Sequence, residues 1–370
     1  MREKTSSEFL QALLIGSCYV YLILCPKAAS AAAASSLSLC ARVLVPSLFP
    51  FFVCANLFCA LGLTKRLEKP FSRVMGPVFG VSGSGAAALV LGLTGGYPSG
   101  AQAVGSLYAA GSIDERAAQK LLLFCNNCGP AFIFGVVGGE VFGSTLAGLL
   151  LYLVHIGSAL ALGVLFGRGT SKRAEAKPHP EEKTPPVSFS AAFTKSVLLA
   201  GKTAFSVCLF AIVFGVLSSM ATGVLAQFLP AWAGAVLTGI LELSGGAAAL
   251  GAVSISQGAK FVLSSMLLAF GGLSVHAQTK AVLEQAGLRG LRVFLPKLLH
   301  AALAGALSVP VYALFQKRLE AQAAFAADSS WLFAADSSWL FAAAAQLALG
   351  GGICLAYLKL GAGNPQRNRV

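Results

Sequence analysis

The chain has 370 residues, 56% hydrophobic and only 11% charged, with a mean hydropathy of +0.76. A soluble domain carries about 25% charged residues, so an ordinary soluble enzyme is excluded and an integral membrane protein is indicated. The net charge of +13 does not argue for nucleic acid, because the basic residues gather between apolar runs (Lys65, Arg66, Lys69, Arg73; then Arg168, Lys172, Arg173, Lys177, Lys183), as the positive-inside bias produces.

Long unbroken runs of Leu, Ala, Val and Phe, without the alternation of a barrel strand, predict helices. A spanning helix needs about 20 mostly apolar residues. Residues 9–25 are the first candidate; Arg2 and Lys4 precede them and no small-residue cleavage site follows closely, which predicts a retained anchor. Residues 44–63 are the second, opened by Pro46 and Pro50 and closed by the basic cluster. Residues 70–83 are short and partly amphipathic. Residues 86–94 are too short to span, and "LTGGYPSGAQ" (93–102) then interrupts them with turn chemistry. Residues 114–124 are amphipathic, with Asp114 and Glu115 near the start and Lys120 near the end, the sense the helix dipole prefers. "CNNCGP" (125–130) predicts a second break, followed by a half-length apolar piece at 131–137 and a full span at 146–167.

Residues 168–187, rich in Lys, Glu and Pro, form an aqueous linker placed in the cytoplasm by its Lys/Arg excess. Spans are then expected at 204–219 and 224–241. Residues 261–270 are short and broken by "GGLSVHAQ" (271–278), a helix runs on to 286, and spans follow at 293–315 and 342–358. The expectation is an all-α polytopic protein of about eight spanning helices. Its parts are an anchor (1–30), a first repeat (40–167), a cytosolic linker (168–195), a second repeat (196–315) and a C-terminal loop and helix (316–370).

The repeat is carried by two matches in the same order. Gly95-Gly96 and Ala101-Gln102 correspond to Gly271-Gly272 and Ala277-Gln278, and "VSGSGAAAL" (81–89) corresponds to "LSGGAAAL" (243–250). With the N-terminus and linker inside, 44–63 runs outward to inward and 204–219 inward to outward, so the halves are inverted. Lys317 and Arg318 would then fall outside, against the charge rule. Inverted repeats with broken helices are the sign of a secondary transporter. A separate tandem, "AADSSWLF" at 326–333 and 334–341, reads as sequence slippage without function.

Irregular backbone at membrane depth is tolerated only where protein or a water-filled cavity satisfies it. A half-helix opening at Ser99-Gly100 is expected to aim N–H groups at such a cavity, where they favour an anion. Gln102, Asn126, Asn127, His276 and Gln278 add neutral donors and acceptors for a polar organic solute. Glu242 and Glu140 are expected to bind a coupling proton or sodium ion. His155 and His300 read as packed side chains. The nine cysteines lie mostly in apolar runs and read as small hydrophobes. Cys125 and Cys128 make a formal CxxC, but no second Cys/His pair at zinc spacing and no βαβ pattern accompany it. No GxSxG, HExxH or P-loop is present, so neither an enzyme nor a cofactor or metal is expected.

"GLTGGYPSGAQ", "LLLFCNNCGPAFIFGVVG" and "FGGLSVHAQ" together resemble the YlbJ-type sporulation integral membrane proteins. Those carry the nucleoside-recognition or Gate domain, found also in concentrative nucleoside transporters, spore maturation proteins and bacterial ferrous-iron transporters. The resemblance runs from about Leu44 to Phe315, and its motif positions are Gly96, Tyr97, Pro98, Gly100; Asn126, Asn127, Gly129, Pro130; and Gly271 through Gln278, with Ser274 among them. It implies a transporter that moves dipicolinate, an aromatic dicarboxylate, from the mother cell across the outer forespore membrane. The implied partners are that anion, the bilayer and a coupling ion, with room for a homo-oligomer. A nucleoside transporter and a non-transporting protein of spore-envelope assembly are the alternatives.

Overall fold

A computed structural model describes residues 2–167, 188–225 and 227–328. Among the described residues the chain is all helical. The first half contains α1 (Arg2–Leu24), α2 (Pro26–Leu39), α3 (Val45–Ala60), α4 (Leu63–Phe79), α5 (Gly85–Thr94), α6 (Ser99–Ala109), α7 (Glu115–Phe124) and α8 (Thr145–Gly167). The second contains α9 (Phe189–Leu225), α10 (Ala231–Leu241), α11 (Leu243–Ala252), α12 (Gln257–Phe270), α13 (Gly272–Gln285) and α14 (Phe294–Asp328). Two wider π-helical stretches, Cys40–Leu44 and Phe132–Val141, join α2 to α3 and precede α8.

Among the described residues four stretches are long and apolar enough to cross a membrane: Thr145–Gly167, Phe189–Leu225, Gln257–Gln285 and Phe294–Gln322. The pair Gln11–Leu24 and Pro26–Leu44, bent by 102°, would make a fifth. At 1.5 Å per residue the 23 residues of α8 reach about 35 Å, enough for a hydrocarbon core of about 30 Å. Large apolar side chains stand exposed along α1, α9 and α14, among them Phe9, Leu198, Phe205 and Leu314. Water would penalise that surface, whereas lipid tails solvate it.

The expected eight spans are not reproduced. Residues 44–63 yield only the 16-residue α3, because a π-helical stretch and α2 take up the chain before it. The Ala- and Ser-rich α2 was not anticipated, since its composition is too polar to read as a span and lacks a clear apolar stripe. The expected spans at 204–219 and 224–241 are redrawn: α9 runs unbroken for 37 residues, and Pro230, in extended backbone, starts a short α10. The 342–358 span and nearly all of the tandem repeat lie outside the described residues, as does most of the 168–195 linker.

The half-length helix expected at 86–94 is α5, whereas the short piece expected at 261–270 belongs to the 29-residue stretch Gln257–Gln285. The matched runs 81–89 and 243–250 open α5 and α11, each of ten residues. The expected full break at 271–278 is a correction: Gly271 and Gly272 take left-handed backbone at φ +85° and +79°, and α13 starts directly at Gly272. Two glycines turn the chain there without unwinding it, so the motif lies on a helix within one apolar stretch. The sharper break in this half is at Glu242, whose extended backbone separates α10 from α11.

Candidate functional site

The first break occupies residues 95–98, between α5 and α6. It can be tight because glycine faces backbone. A Cβ at Gly96, where φ is +76°, would sit 2.7 Å from the amide nitrogen of Gly129. Cβ atoms at Gly92 or Gly100 would collide with the Cys125 carbonyl. The two breaks of the first half therefore pack backbone to backbone, an approach only glycine permits.

The kink of the second half closes on them. The Tyr97 hydroxyl donates to the carbonyls of Leu268 at 3.2 Å and Ala269 at 3.3 Å, just before Gly271. Asn126 Nδ2 donates to Thr279 Oγ1 on α13 at 3.0 Å. Asn127 Nδ2 donates to the Phe124 carbonyl at 2.6 Å, which ties the second break to the end of α7. The Cys128 amide donates to His155 Nε2 at 3.0 Å, so a histidine read as mere packing holds that break to α8. His300 Nε2 reaches the His155 carbonyl at 2.9 Å and Ser158 Oγ at 3.0 Å, linking α14 to the same place.

Two cavities meet at Tyr97. One, a narrow space of about 10 Å³ with room for about one water, is lined by Tyr97, Asn126, Phe270, His276, Thr279 and Lys297 together with Leu122, Val275 and Val293. The other, about 50 Å³, has Tyr97, Cys128, Gly129, Glu242, Ser244, Ser274 and Gln278 on its wall, with Leu44, Leu48 and residues of α9. The three segments singled out from sequence thus converge. Within the first cavity's lining, Asn126 Oδ1 and His276 Nε2 are buried without a hydrogen-bond partner. An unpaired polar atom in an apolar interior costs roughly 1–3 kcal/mol, so such atoms mark where a ligand or water completes the bonding.

The remaining expected residues divide. Gln278 donates to Ser274 Oγ at 3.2 Å, one helical turn away, in the second cavity. Gln102 donates to Thr203 Oγ1 of α9 at 3.1 Å and lines neither cavity. Asn127 is fully buried with an unpartnered Oδ1, also outside both linings. Gly96, Pro98, Ser99, Gly100 and Pro130 shape the backbone and line neither cavity. The start of α6, expected to face a cavity, is covered by the Cys125 carbonyl instead. Glu242 is buried on the wall of the second cavity, and its two carboxylate oxygens accept the amides of Ser244 at 3.0 Å and Gly245 at 2.6 Å, capping α11. Glu140 is exposed and lines neither cavity. Among the described residues no cluster of His, Cys, Asp or Glu is arranged to hold a metal.

Lys297 escaped the sequence reading. Three residues into α14, it looks like an interfacial anchor, yet it is 4% exposed with its ammonium 5.0 Å from the Tyr97 ring centre. Only the three-dimensional packing of α14 against α7 and α8 turns it inward.

Residues 41–171 match the Gate family, described as nucleoside recognition. The chain is 28% identical over 327 residues to the sporulation integral membrane protein YlbJ of Bacillus subtilis (strain 168), covering 79% of this chain and 80% of that protein. No solved structure matches. Both findings agree with the resemblance carried by the three motifs. The chain is an integral membrane protein whose residues 41–171 are similar to the Gate family.

Proposed function

We propose that this chain is a sporulation-associated transporter of a small polar organic anion, dipicolinate, exported from the mother cell across the outer forespore membrane. The observation that carries the reading is the pair of buried, unpartnered atoms, Asn126 Oδ1 and His276 Nε2, brought to one cavity by elements from both halves of the chain. A protein that only organised the spore envelope would have no use for unsatisfied polar atoms inside a helical bundle. Substrate binds between the breaks, the two halves act as inverted repeats, and alternating access follows from one half moving against the other. Glu242, buried on the wall of the second cavity, holds the coupling proton or sodium ion. No chemical step is catalysed.

The Gate description favours one rival, a nucleoside transporter on the same architecture. The in vivo test is the dipicolinate content of spores from a strain lacking this gene, complemented with wild type or with Asn126→Ala. Restoration by wild type and not by the variant is expected. Normal dipicolinate in the uncomplemented deletion strain overturns the reading.

A further inference from the structure

Lys297 has the features of a ligand-binding charge and lacks those of a structural one. An interfacial lysine keeps its ammonium in water, and a buried one is normally neutralised by a carboxylate. Lys297 is buried, and no carboxylate pairs with it among the described residues. Among the described residues its hydrogen-bonding partner is His300 Nδ1 at 3.3 Å, with the Tyr97 ring beside it at 5.0 Å. An ammonium has three donors, so two are left without an acceptor. The same cavity holds the unpartnered atoms of Asn126 and His276, two side chains that are themselves at least nine-tenths buried. The wall carries aromatic rings: His276 and Phe270 both line the cavity, with ring centres 4.8 Å apart, and Tyr97 lines it too.

We infer that Lys297 is the residue that reads the negative charge of the ligand, binding a carboxylate of a small planar acid while Tyr97 and the His276 ring flank its body. Asn126 and His276 supply hydrogen bonds to the rest of the ligand. This deepens the anion reading above and rests on it. The charge is delivered by one side chain of α14 and not by the start of α6, whose Ser99 and Gly100 line neither cavity.

The test is binding to the purified full chain in detergent, by calorimetry, of pyridine-2,6-dicarboxylate and of its isosteric neutral diamide. Wild type is expected to prefer the acid. Lys297→Gln is expected to lose about 10- to 100-fold in affinity for the acid, the worth of a charge-assisted hydrogen bond, with no change for the diamide. Lys297→Arg is expected to recover most of the loss. Lys297→Met, of similar size and neutral, serves where the Gln variant does not fold, and retained diamide binding shows that the cavity is intact. Acid binding unchanged in a folded Gln or Met variant overturns the role of Lys297 and leaves the anion reading standing. Wild type that binds diamide as tightly as acid overturns both.

Discussion

Gly100→Ala tests the backbone contact on which the site is built. The new Cβ would lie 2.7 Å from the Cys125 carbonyl carbon and 2.9 Å from Asn126 Cα, with the carbonyl oxygen closer still. Carbon atoms rest near 3.5–4.0 Å apart, so α6 and the 125–126 backbone must separate by about 1 Å. Overpacking of this kind costs about 1–3 kcal/mol. The shift also pulls Asn126 from Thr279, whose 3.0 Å hydrogen bond is worth about 1 kcal/mol net. Alanine's better helix propensity returns roughly 0.5–1 kcal/mol. The net loss is then about 1–3 kcal/mol, or a fall of roughly 2–12 °C in apparent Tm at about 2–4 °C per kcal/mol. Gly157→Ala in α8 is the matched control, since its Cβ meets nothing within 4 Å. Both variants are followed by thermal unfolding in detergent at one fixed scan rate. Gly100→Ala unfolding at the same temperature as Gly157→Ala refutes the argument.

Glu242→Ala removes both acceptors that cap α11 and is expected to cost about 0.5–2 kcal/mol in thermal unfolding. Glu242→Gln keeps one of the two cap bonds and removes the charge, so it is expected to lose less stability than the Ala variant while flux loses its response to an imposed proton or sodium gradient; an intact response in the folded variant takes Glu242 out of coupling. Tyr97→Phe keeps the ring and deletes the hydroxyl bonds to Leu268 and Ala269, for an expected loss of about 1 kcal/mol, and an unchanged unfolding temperature would show that those bonds do not tie the halves together. The double variant Cys125→Ser, Cys128→Ser is expected to retain flux, because both thiols are free and the break uses the Cys125 carbonyl and Cys128 amide; lost flux in a folded double variant would revive a redox role.

What could be read from the sequence was what local chemistry dictates. Gly and Pro inside apolar runs locate the break at 95–98 and the loop at 125–130, and Asp114 marks its helix start by capping α7. Helix length depends on tertiary packing, and there the reading failed: α9 runs through a predicted boundary, and the Ala- and Ser-rich α2 escaped because its packing against α9 leaves little imprint on composition. Gly271-Gly272 looked like a break because glycine pairs allow one, but they only kink the helix. His155 and His300 were read as packed side chains and are buried, but their bonds to the break and to each other's helices show only in three dimensions, and Lys297 was missed because nothing in its neighbours' sequence separates an inward lysine from an anchoring one.

The most direct measurement is flux of labelled dipicolinate in proteoliposomes holding the purified chain, with unlabelled dipicolinate and unlabelled nucleosides as competitors, in wild type and in Asn126→Ala and His276→Ala. Saturable flux that dipicolinate but not nucleosides suppresses, and that both variants lose while still inserting into the bilayer, is the predicted result. Suppression by nucleosides instead, or undiminished flux in both variants, would contradict a site built from the two breaks for an organic anion.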